Sequence, residues 1–403
     1  MTKKIFSKNI VTKKIFTNFV AKTKDMEENP FVFGKAAEGD FFTDRTNDAE
    51  HLEANLTHGI NTILISPRRW GKTSLVKKVM ANVADREDVK IIYVDVFSCK
   101  SEYDFYQLLA KAIIQQTSTK IEEWMATAKE FLSKIITKVS FSPDSIQEYS
   151  LAFEFPGNDD AESDILQLPE RIARKKNIRI VVCIDEFQQV AEFQDPLTFQ
   201  KKLRSVWQHQ QEVSYCLFGS KRHLMTEIFS DSSNPFYKFG DMIFLKKIPT
   251  DEWVPFICRK FSETGKTITE KQAAKICEVT DDLSSYVQHL AWIVWYKAHP
   301  VVTNEMVNLS VDELLEQNKV FFQREVEGLT GFQLNFLKAL ANGVSTGFSK
   351  KEVIRKYNLE SSANVQGVKK SLQKKDLIDV DGQVVTFNDP IFKLWIKRNI
   401  PNL

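Results

Sequence analysis

The chain has no long apolar run and no cluster of residues typical of a metal centre. No uninterrupted apolar stretch approaches the roughly 20 residues that a transmembrane helix needs, so no membrane partner is expected. No two of the five cysteines have the spacing of metal ligands, and the six histidines do not cluster. The cysteines are therefore expected to be reduced and mostly buried, as in a soluble cytoplasmic protein: Cys99, Cys183, Cys216, Cys258 and Cys277.

The N-terminus lacks the apolar segment and the small-residue cleavage site of a signal peptide. Residues 1–25 carry seven lysines and one aspartate, a net charge of +6 in a chain whose total is +2, so the remainder is mildly acidic. We predict a disordered basic leader over residues 1–27. The alternatives are a basic arm for nucleic acid or membrane, and sequence upstream of a start at Met26.

One glycine is missing from what otherwise matches a phosphate-binding loop. The apolar residues 63–65 predict a strand that runs into Gly71-Lys72-Thr73, which begins a predicted helix. The full pattern has a glycine at Ser66, and serine tolerates fewer backbone angles. In such a loop the backbone N–H groups favour a phosphate, Lys72 reaches the outer phosphates, and the Thr73 hydroxyl binds Mg²⁺. The candidate nucleotide-binding residues are Ser66, Pro67, Arg68, Arg69, Trp70, Gly71, Lys72, Thr73 and Ser74.

A second motif supports the interpretation of this loop as a phosphate-binding loop. Residues 178–184 are almost continuously apolar, which is typical of a strand buried on both faces of a parallel sheet, and they end in two adjacent carboxylates. In a Walker B strand Asp185 would hold Mg²⁺ and Glu186 would orient the attacking water. The alternative is that Asp185 caps a helix and Glu186 is a surface charge.

Strands alternate with helices as far as residue 249, which predicts an α/β fold with a three-layer parallel sheet of the P-loop type over residues 28–249. Helices are expected at about 48–56, 103–116 and 197–211, and strands at 89–96 and 213–220. Residues 118–165 fit this alternation poorly. We predict that they form an insertion, with a polar helix at about 121–133 and a β-hairpin at about 138–155.

From Thr250 the pattern changes to helices alone, and we predict a helical lid over residues 250–325. Residues 326–403 contain three predicted helices, at 330–341, 349–357 and 361–373. Asp381-Gly382 between β-branched residues then indicates a hairpin, which completes a winged helix-turn-helix domain. From Phe348 onward the chain has 11 basic and 6 acidic residues, so this domain is a candidate for DNA contact, unless the charges are only a solvated face.

These motifs together resemble the AAA+ superfamily, and most closely the prokaryotic archaeal-type ATPases that carry a helical lid and a C-terminal winged helix. This group is related to the origin-recognition initiators and to the STAND signalling ATPases. The resemblance covers residue 28 to the end, and its motifs are Asn29-Pro30-Phe31, Phe42-Thr43-Asp44-Arg45, the loop at residues 66–75, Ile184-Asp185-Glu186-Phe187, Phe218-Gly219-Ser220 and Asn388-Asp389-Pro390-Ile391-Phe392-Lys393-Leu394-Trp395.

The resemblance implies that Glu186 and Ser220 are the catalytic residues, with Ser220 as sensor 1 near the γ-phosphate, and that Thr73 and Asp185 are the metal ligands. It also implies that residues 31–34 and 44–45 lie near adenine and ribose. The lid segment 280–288 lacks the usual glycine-rich turn, which leaves sensor 2 unassigned. Arg222 and Lys238 are the candidates for an arginine finger.

Two functions remain open at this stage. The first is an ATPase that couples Mg-ATP binding and hydrolysis to conformational change, with DNA as a candidate partner. The second is a STAND-like switch or scaffold that holds its nucleotide with little turnover. The expected ligands are ATP, ADP and Mg²⁺, and the expected partners are DNA bound weakly and non-specifically, a second copy of the chain, or a protein that the sequence does not name.

Overall fold

The computed structural model describes residues 29–118, 120–132, 138–143, 149–154 and 159–400, so the predicted leader lies outside the described residues. The strands are β1 (Thr62–Ile65), β2 (Val89–Asp95), β3 (Lys138–Pro143), β4 (Tyr149–Glu154), β5 (Arg179–Asp185), β6 (Val213–Gly219), β7 (Asp241–Phe244), β8 (Ile378–Asp381) and β9 (Val384–Phe387). The helices are α1 (Thr46–Thr57), α2 (Lys72–Asn82), α3 (Glu102–Thr117), α4 (Ile121–Leu132), α5 (Asp159–Lys176), α6 (Pro196–Trp207), α7 (Arg222–Ser230), α8 (Thr250–Glu263), α9 (Glu270–Thr280), α10 (Ser284–Lys297), α11 (Asn304–Glu327), α12 (Gly331–Ala341), α13 (Lys351–Tyr357), α14 (Ser362–Lys374) and α15 (Pro390–Asn399).

A five-stranded parallel sheet in the order β2-β5-β6-β1-β7 forms the centre of the first half of the chain. Strands β1, β5 and β6 are buried along almost their whole length. Because successive side chains point to opposite sides of the sheet, both faces of these strands are covered. On β5, Ile180 and Val182 pack into the core that includes α3, α5 and α6, whereas Val181 and Cys183 pack into the core that includes α1 and α2. The predicted three-layer α/β fold is confirmed.

The region between α3 and α5 contains the predicted helix, α4, and the predicted hairpin, in which β3 pairs with β4 in antiparallel register from Lys138 opposite Glu154. Helix α5 begins at Asp159, inside the predicted insertion at 118–165. Its apolar residues Ile165 and Leu168 are buried in the same core as the sheet. Helix α5 is therefore part of the layer that covers the sheet.

Local signals set several helix ends. Thr269 and Thr330 each form a capping box with a glutamine three residues later, and Asp195 caps α6 before a proline. The prediction that α6 continues to Gln211 is wrong, because the helix ends at Trp207. The Trp207 ring stacks on Tyr215 with ring centroids 3.9 Å apart, so the end of α6 packs against β6.

The helices of the predicted lid, α8 to α11, and the winged helix share one apolar core. Helix α11 runs to Glu327, across the predicted boundary between residues 325 and 326. Its Phe322 ring lies 5.2 Å from Phe392 and 6.0 Å from Trp395 on α15. The closing helix thus joins the winged helix to the last lid helix. Within the described residues, no helix is both long and apolar enough to cross a bilayer.

Candidate nucleotide-binding site

The loop between β1 and α2 lies at the carboxyl edge of the sheet, where the backbone turns sharply. Gly71 and Arg69 have φ angles of 92° and 67°, in the left-handed region that glycine adopts most easily. Ser66 is 1% exposed and is not among the described residues with positive φ. Serine therefore occupies the position of the missing glycine without backbone strain.

Lys72 is buried and folds back onto this loop. Its Nζ donates to the carbonyl oxygens of Ser66 at 2.8 Å and Pro67 at 2.9 Å. Burial lowers the pKa of Lys72 to about 8, although the carboxylates of Glu186 and Asp185 oppose this shift. Phosphate oxygens could replace the two carbonyl oxygens as acceptors and would favour the charged ammonium form.

A hydroxyl, a phenol and a carboxylate meet where β2 and β5 end beside α2. Thr73 Oγ1 donates to Asp185 Oδ2 at 3.0 Å, and the Tyr93 hydroxyl donates to the same oxygen at 2.7 Å. Burial raises the pKa of Asp185, and these two hydrogen bonds oppose the shift. The Thr73 and Asp185 oxygens are suitable Mg²⁺ ligands. Mg²⁺ commonly binds one or two carboxylates together with phosphates and water, so Asp185 and Thr73 could supply the ligands that come from the protein.

Glu186 and Ser220 follow the neighbouring strands β5 and β6. Ser220 Oγ donates to Glu186 Oε2 at 2.9 Å and accepts a hydrogen bond from Arg68 Nε at 3.3 Å. Glu186 has a φ of 55°, which turns the chain directly after β5. The two predicted catalytic residues are thus in direct contact with each other and, through Ser220, with the loop.

Most of the predicted site residues line one cavity of about 560 Å³. Among the predicted site residues, those lining it are Arg68, Arg69, Gly71, Lys72, Thr73, Ser74, Glu186 and Ser220. The predicted site residues outside this lining are Ser66, Pro67, Trp70 and Asp185. The Trp70 ring faces Lys247, whose Nζ lies 5.6 Å from the ring centroid. Residues 32–37 line the cavity, but residues 44 and 45 do not. Arg45 instead donates to the carbonyl oxygens of Trp70 and Lys246, at 2.7 and 2.9 Å, and braces the loop from outside.

The lid helix α10 holds the segment before α1 against the cavity. Gln288 accepts from Val32 N at 3.0 Å and donates to Phe41 O at 3.0 Å. One residue further along, the His289 ring stacks on Phe33 with ring centroids 4.0 Å apart. Burial lowers the pKa of His289. The cavity therefore has a wall that is made jointly by the N-terminal segment and the lid.

Two arginines of the loop also contact the winged helix. Arg69 Nη1 donates to Asp389 Oδ2 at 3.0 Å and to the Tyr286 hydroxyl at 2.9 Å, while that hydroxyl donates to Asp389 at 2.6 Å. Arg68 Nε lies 3.8 Å from Asp376 Oδ2. The same side chains that line the cavity thus bind carboxylates more than 300 residues further along the chain.

Arg222, one of the two candidates for an arginine finger, forms a third such contact. Its Nη1 and Nη2 donate to Asp379 Oδ2 at 2.8 Å and Asp381 Oδ2 at 2.9 Å, both on the β8–β9 hairpin. Lys238, the other candidate, lies over the Tyr237 ring at 5.3 Å and has a φ of 53°. In this structure Arg222 is therefore engaged within its own chain.

Sequence reasoning missed Tyr93, Tyr286 and the four winged-helix aspartates. Tyr93 could have been found by placing β2 next to β5, because its register partner Cys183 is only two residues before Asp185. Asp389 carried a local signal as a helix cap before Pro390, but that signal does not indicate a contact with Arg69. Asp381 likewise carried a local signal only as part of the Asp381-Gly382 hairpin turn, and Asp376 and Asp379 carried none.

The sequence matches two family models. Residues 42–290 match the ATPase domain predominantly from Archaea, and residues 320–398 match a probable winged helix domain. None of the curated proteins is similar in sequence to the chain.

Two solved structures resemble the chain over most of its length. A Walker-type ATPase of Pyrococcus abyssi is 17% identical with a TM-score of 0.64, and the match covers 91% of this chain and 99% of that chain. The ORC2 protein of Aeropyrum pernix, in its ADPNP-ADP complexes, is 16% identical with a TM-score of 0.57, covering 92% and 96%. At such identities the likeness shows the fold alone. Because the first family model covers more than half of the sequence, the chain belongs to the archaeal-type ATPase family, and it is a P-loop ATPase of AAA+ fold with a C-terminal winged helix.

Proposed function

We propose that the chain binds Mg-ATP in the 560 Å³ cavity and hydrolyses it there. The observation that carries this proposal is the convergence of two polar pairs, Thr73 with Asp185 and Ser220 with Glu186, beside Lys72. In each pair, a hydroxyl that can contact the phosphates or their metal is hydrogen-bonded to a carboxylate. These two carboxylates, Asp185 and Glu186, lie at the end of the Walker B strand β5.

In this proposal each residue of the site has a separate role in binding or hydrolysis. Lys72 and the loop N–H groups bind the phosphates, and Thr73 and Asp185 hold Mg²⁺, which when bound neutralises charge that develops on the phosphate oxygens. Glu186 accepts a hydrogen bond from the attacking water and so orients it toward the terminal phosphate. Ser220 holds Glu186 and lies at the end of the cavity that Arg68 also lines.

Two substitutions separate binding from hydrolysis. Lys72→Ala removes the main positive charge of the loop and should abolish ATP binding, measured by isothermal titration calorimetry. Glu186→Gln keeps the shape of the side chain and should bind ATP with the affinity of the wild type while steady-state phosphate release falls by about 10² or more. Unchanged turnover in Glu186→Gln would overturn the assignment of Glu186.

We further propose that nucleotide binding weakens the attachment of the winged helix. ATP phosphates entering the cavity would compete with Asp376 for Arg68 and with Asp389 for Arg69, because one guanidinium cannot pair fully with both. The alternative is the STAND-like switch, in which bound nucleotide keeps the winged helix docked and turnover is low.

Hydrogen exchange distinguishes the two. Faster amide exchange in the β8–β9 hairpin on addition of Mg-ATP supports competition for the arginines, whereas slower exchange favours the switch. Steady-state hydrolysis with and without DNA, together with identification of any nucleotide that co-purifies, distinguishes an ATPase from a switch by its turnover. Stimulated turnover supports the ATPase, and tightly held ADP with negligible turnover supports the switch.

A further inference from the structure

Gln188 is a buried amide directly behind the Walker B carboxylates. It lies in the short 3-10 helix Phe187–Glu192, and only 2% of the residue is exposed. Its Nε2 donates a hydrogen bond to Glu186 Oε2, the same oxygen that accepts from Ser220 Oγ at 2.9 Å. One oxygen of the Glu186 carboxylate is therefore held by two donors from different elements.

The other end of the amide is unsatisfied. Gln188 Oε1 is buried and has no hydrogen-bond partner among the residues that the structure describes. A Cβ added to Gly219 would lie 1.9 Å from this oxygen, so the amide packs directly on the backbone at the end of β6. Glycine at position 219 is what leaves room for it, and Gly219 immediately precedes Ser220.

A buried acceptor without a partner destabilises the folded protein, because it loses its hydrogen bonds to water and gains none. An apolar side chain of the same length, such as methionine, would fill this space without that cost. Core packing therefore does not explain why an amide occupies the position. The single polar contact that it makes among described residues is the one to Glu186.

We propose that Gln188 is a positioning residue for ATP hydrolysis. Its N–H group and the Ser220 hydroxyl together fix Glu186 Oε2, which leaves Glu186 Oε1 as the oxygen that can accept a hydrogen bond from the attacking water. Without the amide, the Ser220 hydroxyl alone holds the carboxylate, which can then rotate away from the water. This inference rests on the proposed role of Glu186.

The test replaces the amide with an apolar side chain of similar shape. Gln188→Met should lower the single-turnover rate of ATP hydrolysis about tenfold or more, because misorientation of a catalytic group slows the chemical step. The affinity for ATP should stay within about twofold of the wild type, since Gln188 itself does not line the cavity. The melting temperature should stay unchanged or rise, because the buried unpartnered oxygen is removed.

Gln189→Met is the matched control. Gln189 is the next residue in the same short helix, and its amide faces Glu192 at 3.4 Å and not Glu186. The Gln189→Met variant should hydrolyse ATP at the wild-type rate. Wild-type hydrolysis by Gln188→Met overturns the inference, and so does a loss of rate accompanied by a matching fall in melting temperature, which would show a structural role. Wild-type turnover by the Glu186→Gln variant would instead overturn the proposed function.

Discussion

Burial disfavours the charged forms of Lys72, which lines the cavity, and of Asp185, which is hydrogen-bonded to the lining residue Thr73. It lowers the pKa of Lys72 to about 8 and raises the pKa of Asp185. Hydrogen bonds from Tyr93 and Thr73 favour the Asp185 carboxylate, and nearby carboxylates favour the Lys72 ammonium. Lys72 and Asp185 are thus oppositely charged groups buried close to each other, in a region of low dielectric constant where each responds strongly to a further charge.

His289 provides a pH-dependent contact on the wall of the same cavity. Burial lowers its pKa below the ordinary 6.5, while a hydrogen bond to Gln317 and the charge of Glu313 oppose the shift. As the pH falls below about 6.5, the unfolded chain takes up this proton before the folded chain does, so stability falls. Between pH 7 and 5.5 we expect the melting temperature of His289→Phe, which keeps a ring against Phe33, to drop by less than that of the wild type.

The control for this prediction is His299→Phe, at an exposed position just beyond the same helix. It should retain the full pH dependence of the wild type in scanning calorimetry. An equal pH dependence in His289→Phe and the wild type would show that the stacked histidine is not responsible.

At the scale of elements, Arg222 ties the β8–β9 hairpin to α7 through Asp379 and Asp381. The Arg222 side chain is 27% exposed, and those of Asp379 and Asp381 are 16% and 73% exposed, so neither pair is fully buried and each should contribute about 1 kcal/mol or less to global stability. Arg222→Ala should therefore shift the melting temperature by less than about 4 °C. It should nevertheless speed amide exchange in the hairpin, because the local attachment is lost.

Arg86→Ala is the matched control, since Arg86 forms an exposed pair with Asp88 at 2.7 Å that involves no part of the winged helix. It should leave hairpin exchange unchanged. If exchange in the hairpin is also unchanged in Arg222→Ala, other contacts hold the hairpin.

The elements that sequence predicted well are those with a strong local pattern. The continuous apolar run of β5 predicted a central strand, and Asp381-Gly382 predicted the last hairpin. Strand β7 has only four residues, of which Ile243 alone is buried, so its sequence carries too little pattern for it to be found. The contacts from Arg222 to Asp379 and from Arg69 to Asp389 join residues far apart in the chain. No local pattern encodes such pairs, because they depend on how whole units pack.

At the scale of the whole molecule, the apolar core that the lid and winged helix share limits how the winged helix can move. Phe322 on α11 packs against Phe392 and Trp395 on α15, and separating them would expose large aromatic surfaces to water. The contacts from the winged helix to Arg68, Arg69 and Arg222 are polar by comparison. We therefore expect the lid and the winged helix to move together when nucleotide binds. The contacts that separate should be those of Arg68, Arg69 and Arg222 with the winged helix.

The docked hairpin also bears on DNA binding. Helix α14 presents Gln366 and Lys370 as exposed side chains, while the Asn364 amide donates to Leu359 O at 3.1 Å and is turned toward the start of its own helix. The hairpin, the second element with which a winged helix could touch DNA, carries Asp379 and Asp381 against Arg222. This surface offers positive charge and few groups that could read base edges.

We predict weak, sequence-independent DNA binding whose affinity falls steeply between about 50 and 200 mM salt, since released counterions supply the driving force. Reversing the charges of Lys369 and Lys370 should weaken binding equally for all sequences in fluorescence anisotropy. The same reversal at Lys271 and Lys275, two exposed residues on α9, controls for the change in net charge and should have a smaller effect. A preference of about 10³ or more for one sequence at physiological salt would contradict the prediction, because that ratio is typical of specific readers.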